Sequence, residues 1–328
     1  MIKKKSFIFV SVFALLCLLV FFITKEKTAT ATEFYMDTVI HMTVSGENPE
    51  ALLKMCRETL NHYDKLWSKS SESGDVYKIN HSDGEWTEVS EETIRLLHDA
   101  IHYHEISDGN FCVTIGALSA LWDYKKQTVP EISMIESALA TVGDHQVLIQ
   151  GKKVKLENAK SQLDLGAIAK GKITDIMVQK LRENGCKSAL LDVGGNVYAL
   201  GQKKNGKPWR IGIRDPLDES EGFFTVLSAM DMAIVSSGDY ERSFSQNGSL
   251  YHHIIDPKCG YPAETDLKQT TIIHQNACDA DALSTIVFML GMEGGKAFLE
   301  ENHLSGILVS KKGKTLYVNC EAYMEENQ

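Results

Sequence analysis

The chain of 328 residues has no CxxC pair, no surplus of basic residues, no internal repeat and no low-complexity segment. Each absence removes a class of function. Its seven cysteines, at 17, 56, 112, 186, 259, 278 and 320, lie scattered, so the paired spacing of a structural zinc site is missing. The formal net charge of −10 argues against nucleic acid and anionic lipid as partners. A phosphate loop of the form GxxxxGK[ST] is absent as well. No linker clearly divides the chain, whose length suits one large domain, or two subdomains, with a substantial core.

What is present begins with "MIKKKSFIFVSVFALLCLLVFFITKEK". A basic start, an apolar run from Phe7 to Ile23 and a return to charge form the pattern of a secretory signal or a short membrane anchor. Ala29-Thr30-Ala31 offers a cleavage site, although Lys25, Glu26 and Lys27 stand just before it. Leu16 ahead of Cys17 does not suit a lipoprotein signal. The expected division is therefore 1–31, signal peptide or membrane anchor, and 32–328, a domain that is secreted or held at the membrane outside the cytoplasm. Without residues 1–31, which carry five lysines and one glutamate, the formal net charge becomes −14.

The body opens with "FYMDTVIHMTVSG", where Ile40, Met42 and Val44 alternate with polar neighbours, and this predicts a strand. Asn48-Pro49-Glu50 starts a helix and Ser90 caps a second; Thr93 stands where a capping box needs Glu or Gln. "HQVLIQ" and "KVKLEN" pair across Gly151-Lys152, and a helix ends at Gly185. Strands follow at "SALLDVGG", "NVYALGQ", "WRIGIRDP", "GFFTVLSAMDMAIVSSG" and "YHHIIDP", then helices from about 280 and near 294–302, and a last hairpin. Many antiparallel strands with helices in pairs favour an α+β fold over a doubly wound one.

Five stretches carry groups able to do chemistry. In "CDADALSTIVFMLGM", Asp281 and Thr285 are four apart on one helix face and offer hard oxygens suited to Mg²⁺ or Ca²⁺. Helix capping by Asp279 or Asp281 accounts for the acids equally well. In "LDLGAIAKGK", Gly166 and Ala167 open a helix with Lys170 and Lys172 in its first turns, which is either an anion site or a loop with solvated lysines. His253 in "YHHIIDPKCGYP" lies beside Ile255 on a strand and is either structural or a proton acceptor. Ser236, Ser237 and Gly238 in "IVSSGDYERSF" permit close approach of a ligand, with Tyr240 available to a planar ring, or form a plain loop. Gly194-Gly195 in "DVGGN" is a bulge or a ligand contact.

In sequence order, "YMDTVIHM", "GNFCVTIGAL", "DLGAIAKGK", "DVGGN", "SSGDYER", "HHIIDPKCGYP" and "DADALST" together resemble the ApbE family of FAD:protein FMN transferases. The resemblance runs from about Phe34 to the C-terminal hairpin. It implies a T-fold-like α+β architecture of antiparallel sheets with packed helices. It also implies an enzyme that moves FMN from FAD to a Thr or Ser hydroxyl of an acceptor protein, with Mg²⁺ and release of AMP. By the resemblance, Asp281, Thr285 and the carbonyl of Ala167 hold the metal. Met36, Asp164, Lys170 and Ile255 contact FAD, as do Ser237 and Gly238 of the "SSGDYER" stretch, and His253 and Asp281 are catalytic. Asp279 is then left as the helix cap.

The family's acceptors carry a Ser/Thr-Gly-Ala-Thr/Ser type motif, which this chain lacks, so the acceptor is expected to be another exported protein, a redox carrier. The chain departs from the family at Cys112, where Asp is usual, and at Cys259, where Thr is usual. The two could form a disulfide in an oxidising compartment. Two alternatives share the residues: an extracellular FAD pyrophosphatase, and a non-catalytic flavin-binding or scavenging protein.

Overall fold

Side chains on successive strand residues point to opposite faces, and this alternation divides the apolar residues between two layers. The computed structural model describes residues 27–218 and 222–324. The chain begins with strands β1 (Lys27–Tyr35) and β2 (Thr38–Gly46), then α1 (Pro49–Leu66), α2 (Asp75–Asn80), β3 (Thr87–Glu88) and α3 (Glu91–Ile106). Two short helices, α4 (Gly116–Ser119) and α5 (Ile132–Leu139), lead to the hairpin of β4 (Val147–Gln150) and β5 (Lys153–Leu156). Next come α6 (Ala169–Glu183), β6 (Ser188–Val193), β7 (Asn196–Gly201), β8 (Trp209–Arg214), β9 (Phe223–Ala229) and β10 (Met232–Gly238). A small hairpin of β11 (Ser243–Gln246) and β12 (Ser249–His252) precedes β13 (Leu267–His274), α7 (Ala277–Glu301), β14 (Ser305–Ser310) and β15 (Thr315–Val318).

Eight strands form one sheet in the order β1-β2-β6-β7-β10-β13-β14-β15, every pair antiparallel. The expected α+β class with antiparallel sheets and packed helices holds. Ala233 and Val235 of β10 join the core under α1, α6 and α7, whereas Ile234 joins the core under the β8–β9 hairpin. Leu308 of β14 faces the helices, and its neighbours Ile307 and Val309 face that hairpin. A third cluster of Leu118, Trp122, Ile135 and Ile255 forms the core of a small lobe around α4 and α5. Each fully buried aliphatic side chain contributes roughly 1.5–3 kcal/mol.

The stretch expected as one strand at 34–46 is a hairpin. Met36 and Asp37 have φ of 52° and 57°, and Tyr35 pairs with Thr38. Two left-handed residues in a two-residue turn match the twist of the flanking strands. β1 also crosses the division expected after residue 31, since Ala29, Thr30 and Ala31 pair with Val44, Thr43 and Met42. Residues 1–26, and with them the apolar run read as signal or anchor, lie outside the described residues. Among the described residues one helix, α7, is long and apolar enough to cross a membrane, and it packs against β10 and β13.

The sequence does not announce β13. Gln269, Thr270 and Thr271 are buried yet polar, and each is satisfied by a partner: the Tyr240 hydroxyl at 2.5 Å, the Ser284 carbonyl at 2.9 Å and the Ser236 hydroxyl at 2.8 Å. The two helices expected near the C-terminal end are both present within α7, separated by a kink at Gly291, whose φ of 73° is non-helical; Asp266 Oδ1 accepts the following N–H of Met292 at 2.9 Å.

α6 and α7 meet backbone to backbone. A Cβ on Gly171 would stand 2.2 Å from the Ala277 carbonyl oxygen and 2.7 Å from Cys278 Cα. Only glycine permits this approach without moving one helix. Gly171→Ala should lower unfolding stability by about 1–3 kcal/mol, the usual cost of overpacking. Urea unfolding monitored by circular dichroism measures it, and an unchanged midpoint would show that the helices yield freely.

Candidate active site

The α6–α7 contact brings two helix starts together. α7 begins after Asn276, which makes no side-chain cap of its own. The cap comes from α6 instead: Asp175 accepts the N–H of Ala277 at 2.7 Å through Oδ1 and that of Cys278 at 2.9 Å through Oδ2. Asp279, the cap expected from sequence, is otherwise engaged. It accepts the Tyr103 hydroxyl at 2.7 Å and the Asn276 amide at 3.0 Å. A sequence pattern cannot show this, because the true cap lies 102 residues upstream of the helix it serves.

Asp281, one turn on, is 4% exposed. Its Oδ2 accepts the Gly171 N–H at 2.9 Å, and its Oδ1 faces the Lys170 ammonium at 3.6 Å. Lys170 also donates to the Gly166 carbonyl at 3.1 Å. α6 itself starts at Ala169, so Gly166 and Ala167 belong to the turn before it, with Ala167 half-buried against the main core. Lys172 points elsewhere and pairs with Asp99 at 2.7 Å. Thr285 is half-buried on α7, one turn beyond Asp281.

Asp164 sits on the same loop. Its Oδ2 takes the Lys69 ammonium at 2.5 Å and the Ser119 hydroxyl at 2.7 Å, and its Oδ1 takes the Gly166 N–H at 3.0 Å. Burial opposes its ionisation, but Lys69, Ser119 and Gly166 outweigh burial and hold the carboxyl below the usual carboxylate range. Lys69 and Ser119 give no sequence signal. One lies in a polar loop and the other in a four-residue helix.

Ser237, near the end of β10, meets the Ser284 hydroxyl at 2.7 Å, and Ser284 donates to the Asp281 carbonyl at 2.8 Å. The sheet therefore braces the turn of α7 that carries Asp281. Gly238 is required by packing: a Cβ there would lie 2.4 Å from the Tyr240 ring. Tyr240 stacks under Arg214, 5.4 Å from the ring centre. Glu241, absent from the sequence candidates, has its carboxyl pushed up by burial, while Lys170 acts in the opposite sense and Asp281 adds to the rise. It stands over Gly195, with Oε1 3.8 Å from where a Cβ would be.

His253 follows the end of β12 rather than lying on a strand, so the expected alternation with Ile255 does not apply. Its imidazole is pushed down to about 3 by burial, with the charges of Lys170 and Arg242 among the further causes. It is neutral at pH 7, and its buried Nδ1 has no hydrogen-bond partner among the described residues. Arg242 donates to the Asp37 carbonyl at 3.1 Å, and the Met36 N–H donates to Asp64 at 3.1 Å. The left-handed turn carrying Met36 is thus tied down on both sides. The side chain of Ile255 is 6% exposed and packs into the small-lobe cluster, away from Asp281.

Cys112 and Cys259 are both free, so the disulfide considered between them is not formed. The Cys112 thiol is buried, pushed up to about 12 by that burial and by Asp144, and lies 3.1 Å from Asp144 Oδ1. Cys259 is exposed. His104, Cys112 and Asp144 bring nitrogen, sulfur and oxygen within 4.8 Å of one another. All three are already bonded: His104 Nδ1 meets the Phe111 carbonyl at 2.9 Å, and Asp144 accepts the N–H groups of Val113 and Thr114 at 2.9 and 2.8 Å. The cluster fixes the 111–114 loop.

A family model described as ApbE family matches residues 36–308. A Treponema pallidum protein named FAD:protein FMN transferase is 33% identical over 299 residues, covering 84% of this chain and 83% of its own. A Klebsiella pneumoniae protein of the same name is 33% identical over 268 residues, covering 80% and 83%. Among solved structures, the ApbE protein of Thermotoga maritima superposes with a TM-score of 0.85 at 31% identity, over 92% of this chain and 100% of its own.

The depressed His253 has a consequence for stability. Below pH 6.5 the unfolded chain binds a proton that the folded imidazole refuses until about pH 3, so stability falls as pH drops through that window. Between pH 7 and 5 the loss from this group should be roughly 1–2 kcal/mol. His253→Gln should show a correspondingly smaller loss in urea titrations at the two pH values. An equal loss in both proteins would mean that His253 titrates normally.

Proposed function

The chain belongs to the ApbE family, and from that premise we propose that this flavin transferase moves FMN from FAD to a serine or threonine hydroxyl of an exported acceptor protein, with Mg²⁺ bound and AMP released. The observation that supports this most is the convergence of Lys170 and the Gly171 N–H on the buried carboxylate of Asp281. Asp281, Thr285 and the Ala167 carbonyl offer hard oxygens, the donor type that Mg²⁺ takes. Oδ2 of Asp281 is tied to α6 while Oδ1 faces Lys170 beyond hydrogen-bond length, so the carboxylate keeps lone pairs for a cation. These three groups would hold the ion, which when bound neutralises charge on the pyrophosphate.

The chain's own groups account for the rest. Lys170 would add a point charge beside the phosphates. Asp164, Met36, Ser237, Gly238 and Ile255 would line the FAD site, Ile255 through its backbone, since its side chain is committed to the small lobe. His253, neutral and with Nδ1 unpartnered, would take the acceptor hydroxyl proton. The hydroxyl oxygen then bonds to the FMN-side phosphorus as the bond to the bridging oxygen breaks, and AMP leaves with that oxygen. The acceptor is proposed to carry a Ser/Thr-Gly-Ala-Thr/Ser type motif and to be a redox carrier. Export and membrane attachment through residues 1–31 belong to the same proposal.

Incubating the protein with FAD, Mg²⁺ and an exported protein that carries such a motif should yield covalently fluorescent acceptor and AMP. Free FMN with no labelled acceptor would point to a pyrophosphatase, and intact FAD held without turnover would point to a binding protein. Asp281→Ala should reduce transfer by at least about 10²-fold, in line with loss of a group that stabilises transition-state charge. Transfer at the normal rate in that variant, with Mg²⁺ as sole divalent ion, would defeat the assignment.

A further inference from the structure

We propose that Asp175 is a positioning residue for this reaction: by capping α7 from α6 it fixes where Asp281 stands relative to Lys170. The proposal rests on the metal reading of Asp281 given above. Three contacts form a single strip along the helix crossing. Asp175 holds the N–H groups of Ala277 and Cys278, the Gly171 backbone abuts the Ala277 carbonyl, and the Gly171 N–H holds Asp281. Removing the first contact leaves the start of α7 held to α6, within this strip, through Gly171 alone, and Asp281 lies only four residues beyond the capped Ala277. The outer-shell group that orients a ligand typically changes metal affinity 10–100-fold when lost.

Retaining a charge at Asp175 is not required by the fold. Burial pushes its carboxyl up to about 6, so the ionised form is less favourable in the folded chain than in the unfolded one. By the sign of that shift, the group stabilises the fold more when protonated, and the stability is lost as pH rises from about 3.8 through 6. The groups that act on it are Lys172 on α6 and Cys278 and Asp279 on α7, and Tyr198 of β7 also interacts with its charge. Lys172 is the cation among them, and Asp99 already claims it.

The test is calorimetric titration of MgCl₂ into FAD-loaded protein, with no acceptor present, alongside the thermal midpoint. Asp175→Asn should raise the Mg²⁺ dissociation constant about tenfold while leaving the midpoint within a few degrees of wild type. Phe298→Ala, which trims the same helix beyond its break at Gly291, should lower the midpoint and leave Mg²⁺ affinity unchanged. Wild-type affinity in Asp175→Asn, with Asp281→Asn impaired, overturns the positioning role and leaves the metal site standing. Wild-type affinity in Asp281→Asn sinks the metal site and the proposal with it. If Asp175→Asn does not fold, Asp175→Glu, which keeps the charge but adds a methylene, carries the same expectation. Failure of both variants to fold makes Asp175 a requirement of the fold and overturns the proposal.

Discussion

The close approach of Gly171 to the Ala277 carbonyl is the constraint on which the rest of the site depends. Helices with ordinary side chains at their crossing stay about 8–10 Å apart between axes. Removing the Cβ lets a backbone N–H of one helix reach a carboxylate of the other, and Asp281 thereby gains a fixed partner that no side-chain rotation can withdraw. Asp281 stays poised at 4% exposure because α6 supplies both a donor and, in Lys170, a countercharge.

The sheet contributes rigidity to the same place from below. Ser237, Ser284 and Thr270 make a short polar ladder between β10, α7 and β13. Every member is satisfied, so polarity at the floor costs little and fixes the register of α7 against the strands. The loop of Asp164 is braced in the same manner by Lys69 and Ser119, which come from two different parts of the chain. Among the described residues, Nδ1 of His253 is one of the buried polar atoms left without a hydrogen-bond partner. Burial keeps that imidazole neutral.

Much of this was legible in residue order. The α+β class followed from strand and helix periodicities, and Ser90 does cap its helix, accepting the Thr93 N–H at 3.2 Å. Asp281, Thr285 and Lys170 were legible only through the order of the motifs that carry them, because acids and hydroxyls are ordinary at helix starts. What stayed hidden was non-local or disguised. β1 lay within the stretch read partly as a leader, and β13 is polar where a central strand should be apolar. Asp175 reads as an ordinary surface acid of an amphipathic helix until α7 is placed against it. Glu241 and Lys69 sit in loops, where spacing carries no information about direction. The pairing of Cys112 with Cys259 was considered because the resemblance sets both positions near the flavin cleft, whereas the thiol of Cys112 is turned inward onto Asp144.

The strand order has a bearing on when the site can exist. β2 pairs with β6 far along the chain, and the Gly171–Asp281 contact spans 110 residues. Contacts of such separation form late, because the intervening chain must first surrender its freedom. As the chain is synthesised from its N-terminus, α6 emerges with Lys170 and Gly171, and Asp281 follows more than a hundred residues later. An unfinished chain can therefore offer the lysine but not the carboxylate, and the two meet only with the last third of the polypeptide.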